Sequence, residues 1–337
     1  MVSRRCRLAF FASLCTASLG LVAPAGAQDV SGAAFSFGLF GDLAYSAAEE
    51  PLMANVLADL DRAPLAFVAH VGDLGSPRAG SCTDELWARR LAQFQASANP
   101  LVYTPGDNEW TDCHDEQGVA GGEPLERLAK LRSLFFTSER SFGRRSIALA
   151  RQSDSPQYAK YRENARWDLG GVTFLTLHVV GSNNGRGRTS AGDVEFAERN
   201  SADLAWLHEG LAHARADNTR AAMIIQQANI FPRFSPFPGN PKQEPDGFAE
   251  LRAALAKEVM AFGKPVVLVH GDSHYFRMDK PFMRRQAGGG DPVVENFTRL
   301  ETFGSPFHHW VEARVDVNDP NVFAFRPCIV PANLMGK

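Results

Sequence analysis

The sequence predicts an α/β fold, and two observations carry that prediction. Apolar stretches of strand type alternate with amphipathic stretches of helix type, as in mainly parallel sheets whose strands are joined by helices. Four of the strand-like stretches also stop at a Gly-Asp pair. Because ligands bind outside the carboxyl ends of strands in α/β sheets, the four aspartates are expected to converge: Asp42, Asp73, Asp107 and Asp272.

Each element follows from its own pattern. Strands are predicted where apolar runs end in turn residues, at 35–40, 65–71, 101–105, 221–225 and 265–270, with a hairpin over 166–180. Helices are predicted where apolar residues recur at helical spacing, at 47–61, 84–96, 124–136, 191–215 and 248–262. Residues 298–301, 309–315 and 322–325 are predicted as antiparallel strands that close the fold, and 181–188 and 231–244 as loops.

The first 27 residues have the features of a secretory signal. Three arginines precede an apolar run, and Ala25-Gly26-Ala27 provides a cleavage site. The run is too short for a membrane span, so we expect a periplasmic or secreted protein without an anchor, with a single domain over 28–337. Ser3-Arg4-Arg5 leaves twin-arginine export open.

Charge limits the classes of partner. The chain has a formal net charge of −3, and cleavage after Ala27 removes three arginines and no acidic residue, which leaves −6. Such a balance gives no support for a general basic surface that binds nucleic acid or anionic membranes. A small-molecule ligand is compatible with this charge, and the oligomeric state is not predicted.

Cysteine positions allow a disulfide in an oxidising compartment. Cys82 and Cys113 each lie close to a Gly-Asp loop, and a bond between them would tie the second and third loops together. Pairing of either residue with Cys328, or no pairing at all, stays open.

The strand-end carboxylates favour a shared metal site. A single Gly-Asp pair is an ordinary turn or helix start, but four pairs in one chain, the last followed by His274, favour common chemistry. A divalent cation would relieve the repulsion among the clustered carboxylates. In the loop over 181–188, Asn183 and Arg186 suit an anionic substrate, with a solvated loop as the alternative.

With these stretches together, the chain resembles the calcineurin-like metallophosphoesterase superfamily, whose secreted branch includes the purple acid phosphatases. The family's ordered motifs fall on Asp42, Gly72-Asp73, Gly106-Asp107-Asn108-Glu109, Gln227 and Gly271-Asp272-Ser273-His274. The resemblance implies a four-layer αββα sandwich of two mixed β-sheets flanked by helices.

It also implies roles for individual residues. One metal would be held by Asp42, Asp73 and His274, and Asp73 would bridge to a second metal held by Asp107, Gln227 and Asp272. Asn108 would contact phosphoryl oxygens, together with Asn183 and Arg186. Asn108, Asp73 and His274 would therefore form the catalytic set.

Several family histidines are replaced in this chain. They fall on Ala44, Asn108, Gln227 and Asp272, while Tyr45 is a substitute ligand to consider. An alternative register makes Asn108 the ligand and Glu109 its neighbour. The oxygen-rich donor set suits Mg²⁺, Mn²⁺ or Ca²⁺ more than Zn²⁺, with iron also considered.

The function implied is a secreted phosphatase or phosphodiesterase that uses one or two divalent cations to activate water. The alternative is an impaired relative that binds a metal or a phosphorylated ligand without hydrolysis. Asn108 motivates it, because an amide cannot supply the proton that a histidine would give to a leaving group.

Overall fold

The computed structural model describes residues 33–76, 80, 82–114, 122–231, 245–283 and 293–334. From Ser31 to Lys337 the chain forms one compact unit. The signal over 1–27 and all but the first residue of the predicted loop over 231–244 lie outside the described residues, so the signal, its cleavage site and the domain boundary stay predictions. None of the helices in the described ranges is long and apolar enough to cross a membrane.

Strands and helices follow one another largely as predicted. The strands are β1 (Phe35–Phe40), β2 (Val68–His70), β3 (Leu101–Tyr103), β4 (Ala150–Arg151), β5 (Ala165–Leu169), β6 (Val172–Thr176), β7 (Ala221–Ile225), β8 (Val266–His270), β9 (Arg277–Asp279), β10 (Phe297–Glu301), β11 (Trp310–Val315) and β12 (Phe323–Cys328). The helices are α1 (Glu50–Arg62), α2 (Asp84–Ala96), α3 (Pro124–Phe135), the short α4 (Gly181–Asn184), α5 (Ser190–Ala216) and α6 (Ala249–Phe262).

The strands form two mixed sheets. The first has the order β12-β11-β1-β2-β3, in which β1, β2 and β3 are parallel. The second has the order β4-β5-β6-β7-β8-β10-β9, in which β6, β7, β8 and β10 are parallel. In the first sheet the parallel strand β3 forms one edge and the antiparallel strand β12 forms the other. In the second sheet antiparallel strands form both edges, as is common in mixed sheets.

Three apolar cores define four layers. Phe37, Phe67 and Phe174 belong to the core between the two sheets. A second core packs α5 and α6 on the outer face of the second sheet, and a third packs α1, α2 and α3 on the first sheet. The predicted four-layer αββα sandwich of two mixed sheets flanked by helices is confirmed.

Two sequence-based details are corrected. The strand predicted at 298–301 as antiparallel is β10, which pairs in parallel with β8 and is antiparallel only to β9. The loop at 181–188 begins with the turn α4, in which Ser182 and Asn183 have φ values of 49° and 58°. Asparagine tolerates left-handed backbone, and residues 177–180 separate this turn from the end of β6.

Candidate metal centre

The predicted site residues lie in loops that follow parallel strands. Asp42 follows β1, Asp73 follows β2 and Asp107 follows β3 in the first sheet. Gln227 follows β7, and Asp272 and His274 follow β8, in the second sheet. The two sets meet, because the Asp272 backbone N–H donates to Asp42 Oδ1 at 2.8 Å. One edge of the sandwich therefore carries all six residues.

Glycine precedes each aspartate for a reason of space. A Cβ atom on Gly271 would lie 1.8 Å from Asp42 Oδ2, and one on Gly106 would lie 2.0 Å from Asp73 Oδ1. Each of these glycines thus receives the carboxylate of a different loop, and no larger residue fits. Two of the four Gly-Asp pairs, at Gly106 and Gly271, therefore pack against the carboxylate of another loop, whereas Gly41 and Gly72 face Val71 and Gln227.

The backbone at the predicted ligands is strained. Asp42, Asp73, Asp272 and His274 have φ values of 53°, 61°, 73° and 60°. A left-handed conformation of a residue other than glycine costs roughly 1–2 kcal/mol, and such strain concentrates at functional sites. The loops therefore hold these side chains in place at a cost to stability.

Asp42, Asp73 and His274, here called the first cluster, offer one ligand atom each within 4.8 Å of the others. Both carboxylates are buried, and His274 Nε2 lies 3.6 Å from Asp42 Oδ1. The Ser305 carbonyl oxygen lies 2.7 Å from His274 Nδ1 and can only accept, so Nδ1 carries the proton. In the neutral ring, the lone pair of Nε2 then faces the carboxylates.

Tyr45 lies inside the first cluster. Its hydroxyl donates to Asp73 Oδ2 at 2.5 Å, and the same oxygen lies 3.1 Å from His274 Nε2. One proton cannot satisfy both acceptors, and Asp42 Oδ2 is buried with no hydrogen-bond partner among the described residues. Two carboxylates, an imidazole nitrogen and a phenol oxygen with unsatisfied lone pairs fit a divalent cation.

Burial also raises the pKa of the aspartates. Desolvation raises the pKa of Asp42 and Asp73 well above the usual range, with further increases from Asp272 and Asp107 beside Asp42, and from Asp107 and Glu109 beside Asp73. Desolvation likewise lowers the pKa of His274. In the described ranges no Lys or Arg forms an ion pair with these carboxylates, and His274 is their basic partner. A bound cation would supply the missing positive charge.

The residues assigned to a second metal, Asp107, Gln227 and Asp272, are here called the second position. Gly181 packs among them, since a Cβ on it would lie 2.5 Å from Asp107 Oδ2 and 2.9 Å from Asp272 Oδ1. The Gly181 backbone N–H donates to Gln227 Oε1 at 2.6 Å. Burial raises the pKa of Asp272 to about 6. Gly181 has no place in the sequence-based site and is found only from the structure.

Asn108 serves the fold of the first cluster. Its side-chain amide donates to Asp73 Oδ2 and to the Gly75 carbonyl oxygen, each at 2.9 Å, so both amide hydrogens have acceptors inside the protein. This contact orients Asp73, which is an indirect role in cation binding. The direct contact with phosphoryl oxygens predicted for Asn108 stays a prediction.

Glu109 joins the second and third loops. It is fully buried, and its carboxylate accepts the N–H groups of Leu74 at 2.6 Å and Gly106 at 3.0 Å. Tyr103 donates to the same carboxylate at 3.1 Å. Glu109 therefore holds the residues that flank Asp73 and Asp107. The sequence placed it only as a neighbour of the site; the polar run after Gly106 was the signal that could have identified it.

The side chains of Asn183 and Arg186, which were predicted to contact substrate, make contacts with residues 245–247 and with α5. The Asn183 side chain donates to the Pro245 carbonyl oxygen at 3.1 Å and accepts the Gly247 N–H at 2.8 Å. The Arg186 guanidinium lies over the Phe196 ring, 5.2 Å from its centroid. Both side chains fix the α4 turn against residues 245–247 and α5, and their role as phosphate contacts stays a prediction.

A disulfide joins Cys82 and Cys113, whose Cα atoms are 5.8 Å apart, and Cys328 is a buried free thiol. The first of the pairings considered from sequence is therefore confirmed. The bond ties the segment after Asp73 to the loop that carries Asp107 and Asn108, so it supports the metal centre from outside.

A second group of metal-binding type lies on the surface. Asp168, His213 and Asp217 have ligand atoms within 4.8 Å of one another, but both carboxylates are exposed. His213 Nε2 lies 2.8 Å from Asp168 Oδ2 and 3.4 Å from Asp217 Oδ2, so the imidazole already has partners. Unlike the first cluster, this group has exposed carboxylates that water can solvate.

No protein-family model and no curated protein matches the chain. Solved structures do match it, and one of them is GAP50, described as the anchor in the inner membrane complex of Plasmodium. The match covers 88% of this chain and 89% of that chain, with a TM-score of 0.44 and 9% sequence identity.

Proposed function

We propose that the chain is an exported, metal-dependent phosphoester hydrolase. The observation that supports this most strongly is the first cluster, in which Asp42, Asp73 and His274 offer buried ligand atoms within 4.8 Å of one another at a strand-end edge. Among the described residues, neither Asp42 nor Asp73 forms an ion pair with Lys or Arg, and His274 is the basic group beside them. A bound cation stabilises buried carboxylates more than solvated ones, because the attraction between charges is stronger where water is excluded.

A divalent cation bound there would polarise a phosphoryl oxygen and promote the activation of water. The chain's own residues prepare the cluster. Ser305 fixes the tautomer of His274, while Tyr45 and Asn108 donate to Asp73 and fix the direction of its carboxylate. Mn²⁺ or Mg²⁺ suits such a mixed but oxygen-rich donor set better than Zn²⁺.

A second candidate function is cation-dependent binding of a phosphorylated ligand without hydrolysis. Asn108 favours it, because its amide hydrogens already have acceptors in Asp73 and Gly75 and neither is an acidic proton. A general acid typically contributes about 10²–10⁴-fold to such a reaction, so its absence would leave a slow enzyme or none.

The test is hydrolysis by the purified, metal-stripped protein before and after Mn²⁺ is restored. Probes are 4-nitrophenyl phosphate for monoesters and bis(4-nitrophenyl) phosphate for diesters. We expect turnover of at least one probe that requires Mn²⁺ and disappears in Asp73→Asn. The matched control is His213→Gln, which alters the exposed Asp168–His213–Asp217 group and should retain activity. Mn²⁺ binding with no turnover would favour the second candidate.

Export stays part of this proposal. The Cys82–Cys113 disulfide supports an oxidising compartment, since such bonds are rare in the cytosol. Fractionation of cells that express the full chain tests it, with N-terminal sequencing of the exported form. We expect cleavage after Ala27.

A further inference from the structure

The orientation of the Gln227 amide is fixed by one contact. The Gly181 backbone N–H lies 2.6 Å from Gln227 Oε1, and an N–H can only donate, so the oxygen must face it. The NH₂ end of the same amide, Nε2, therefore points away from Gly181. It is buried and has no hydrogen-bond partner in the described part of the chain.

Gln227 lies where the loops of both sheets meet. Its backbone carbonyl accepts the Gly271 N–H at 3.0 Å, and its Cγ would lie 2.6 Å from a Cβ on Gly72. At this place the family resemblance puts a metal ligand. An amide NH₂ has hydrogens and no lone pair for a cation, so the free end of Gln227 repels one.

The rest of the second position is also closed. The backbone of Gly181 approaches the carboxylates of both Asp107 and Asp272, as the Cβ distances of 2.5 Å and 2.9 Å show. Asp272 Oδ2 already accepts the Asn229 N–H at 2.8 Å.

We infer that the strand-end edge binds a single divalent cation, at the first cluster, and that the Gln227 amide excludes a second. The residues at the second position do not fit a metal, although the resemblance assigns one there. This inference rests on the proposed function only for cation binding and not for hydrolysis. At Gln227 the oxygen of the amide is already bound to the Gly181 N–H, and the other end of the amide is a buried NH₂ group that offers no lone pair.

The experiment is calorimetric titration of the metal-free, full mature protein with MnCl₂, with elemental analysis after desalting. We expect about one Mn²⁺ per chain in the wild type. Gln227→Glu keeps an oxygen for the Gly181 N–H and replaces the NH₂ by a second oxygen, so it should bind about two. Gln226→Glu is the matched control, a buried neighbour whose change should leave the number at one.

Asp107→Asn provides a test that does not depend on the folding of Gln227→Glu. This variant should still bind about one Mn²⁺, with an affinity lower by no more than about tenfold, because only a charge near the first cluster is lost. Two equivalents in the wild type, one in folded Gln227→Glu, or none in Asp107→Asn would overturn this inference alone. No binding by the wild type would overturn the proposed function as well.

Discussion

The two halves of the strand-end edge differ in which atoms remain free. In the first cluster, His274 is held by its Nδ1 proton and Tyr45 shares one proton between two acceptors, so lone pairs remain unsatisfied. In the second position, Gln227 Oε1 accepts the Gly181 N–H, and the NH₂ hydrogens of Gln227 have no acceptor among the described residues. The first cluster therefore presents lone pairs, which suit a cation, whereas the free end of Gln227 presents hydrogens, which do not. The identity of the free atom, more than the position of the residue, decides the chemistry.

The largest effect is expected from the loss of Asp73. Asp73→Asn removes the negative charge of a predicted ligand in the first cluster. The affinity for Mn²⁺ should fall by more than about a hundredfold, which exceeds the loss of about 10–100-fold that is typical for a residue that only orients a ligand. Asp272→Asn is the matched change in the other half and should weaken binding much less. Calorimetric titration of both variants measures the difference. Equal losses in the two variants would break the distinction between the halves.

A smaller loss is expected from Tyr45→Phe. The hydroxyl orients Asp73 and contacts His274, and removal of such an orienting group typically costs about 10–100-fold in metal affinity. Tyr275→Phe is the control, since this neighbour of His274 is exposed. An unchanged Mn²⁺ affinity in Tyr45→Phe would mean that the hydroxyl contributes nothing to the first cluster.

The pH dependence of stability should change with metal loading. Burial raises the pKa of Asp42 and Asp73, and that of Asp272 to about 6, so these groups hold protons in the folded state that the unfolded chain has lost. Their contribution to stability is complete below about pH 4, the usual Asp range, and declines as the pH rises through the folded values.

The metal-free protein should therefore melt at a lower temperature at pH 8 than at pH 5. With Mn²⁺ bound, the carboxylates are ionised and paired, so the fall should shrink or reverse. Differential scanning calorimetry across this range checks it. A metal-free melting temperature that rises steadily with pH would contradict the assigned burial of these carboxylates.

The smallest effect on metal binding is expected from Glu109→Gln. The change places an amide NH₂ against a backbone N–H that Glu109 now accepts, which costs roughly 1–3 kcal/mol of stability. The melting temperature of Glu109→Gln should fall accordingly, whereas that of Glu139→Gln, a change at an exposed residue, should stay the same. Because neither Glu109 nor Glu139 is a ligand, the number of bound Mn²⁺ should stay the same in both variants.

The sequence could predict the elements that depend on local pattern. Periodicity located the main helices, and the Gly-Asp pairs located the loops after β1, β2, β3 and β8. It could not predict that β10 runs parallel to β8, because strand direction depends on contacts distant in sequence. The short strand β9 at Arg277–Asp279 was not predicted for a different reason, because three residues are too few to show a periodic pattern.

The site was predictable in position but not in detail. The convergence of Asp42, Asp73 and His274 follows from strand ends, whereas the role of Gly181 depends on its close approach to Asp107 and Asp272. Likewise, nothing in the sequence shows that Asn183 and Arg186 bind residues 245–247 and Phe196. Hydrogen-bond direction at Gln227 is visible only once Gly181 is placed beside it.

The most direct test is an anomalous difference map from crystals of the mature protein grown with MnCl₂. We expect a single manganese peak, coordinated by Asp42, Asp73 and His274, with Gln227 Oε1 still bound to the Gly181 N–H. A peak between Asp107 and Asp272, or no peak at the first cluster at saturating Mn²⁺, would contradict it.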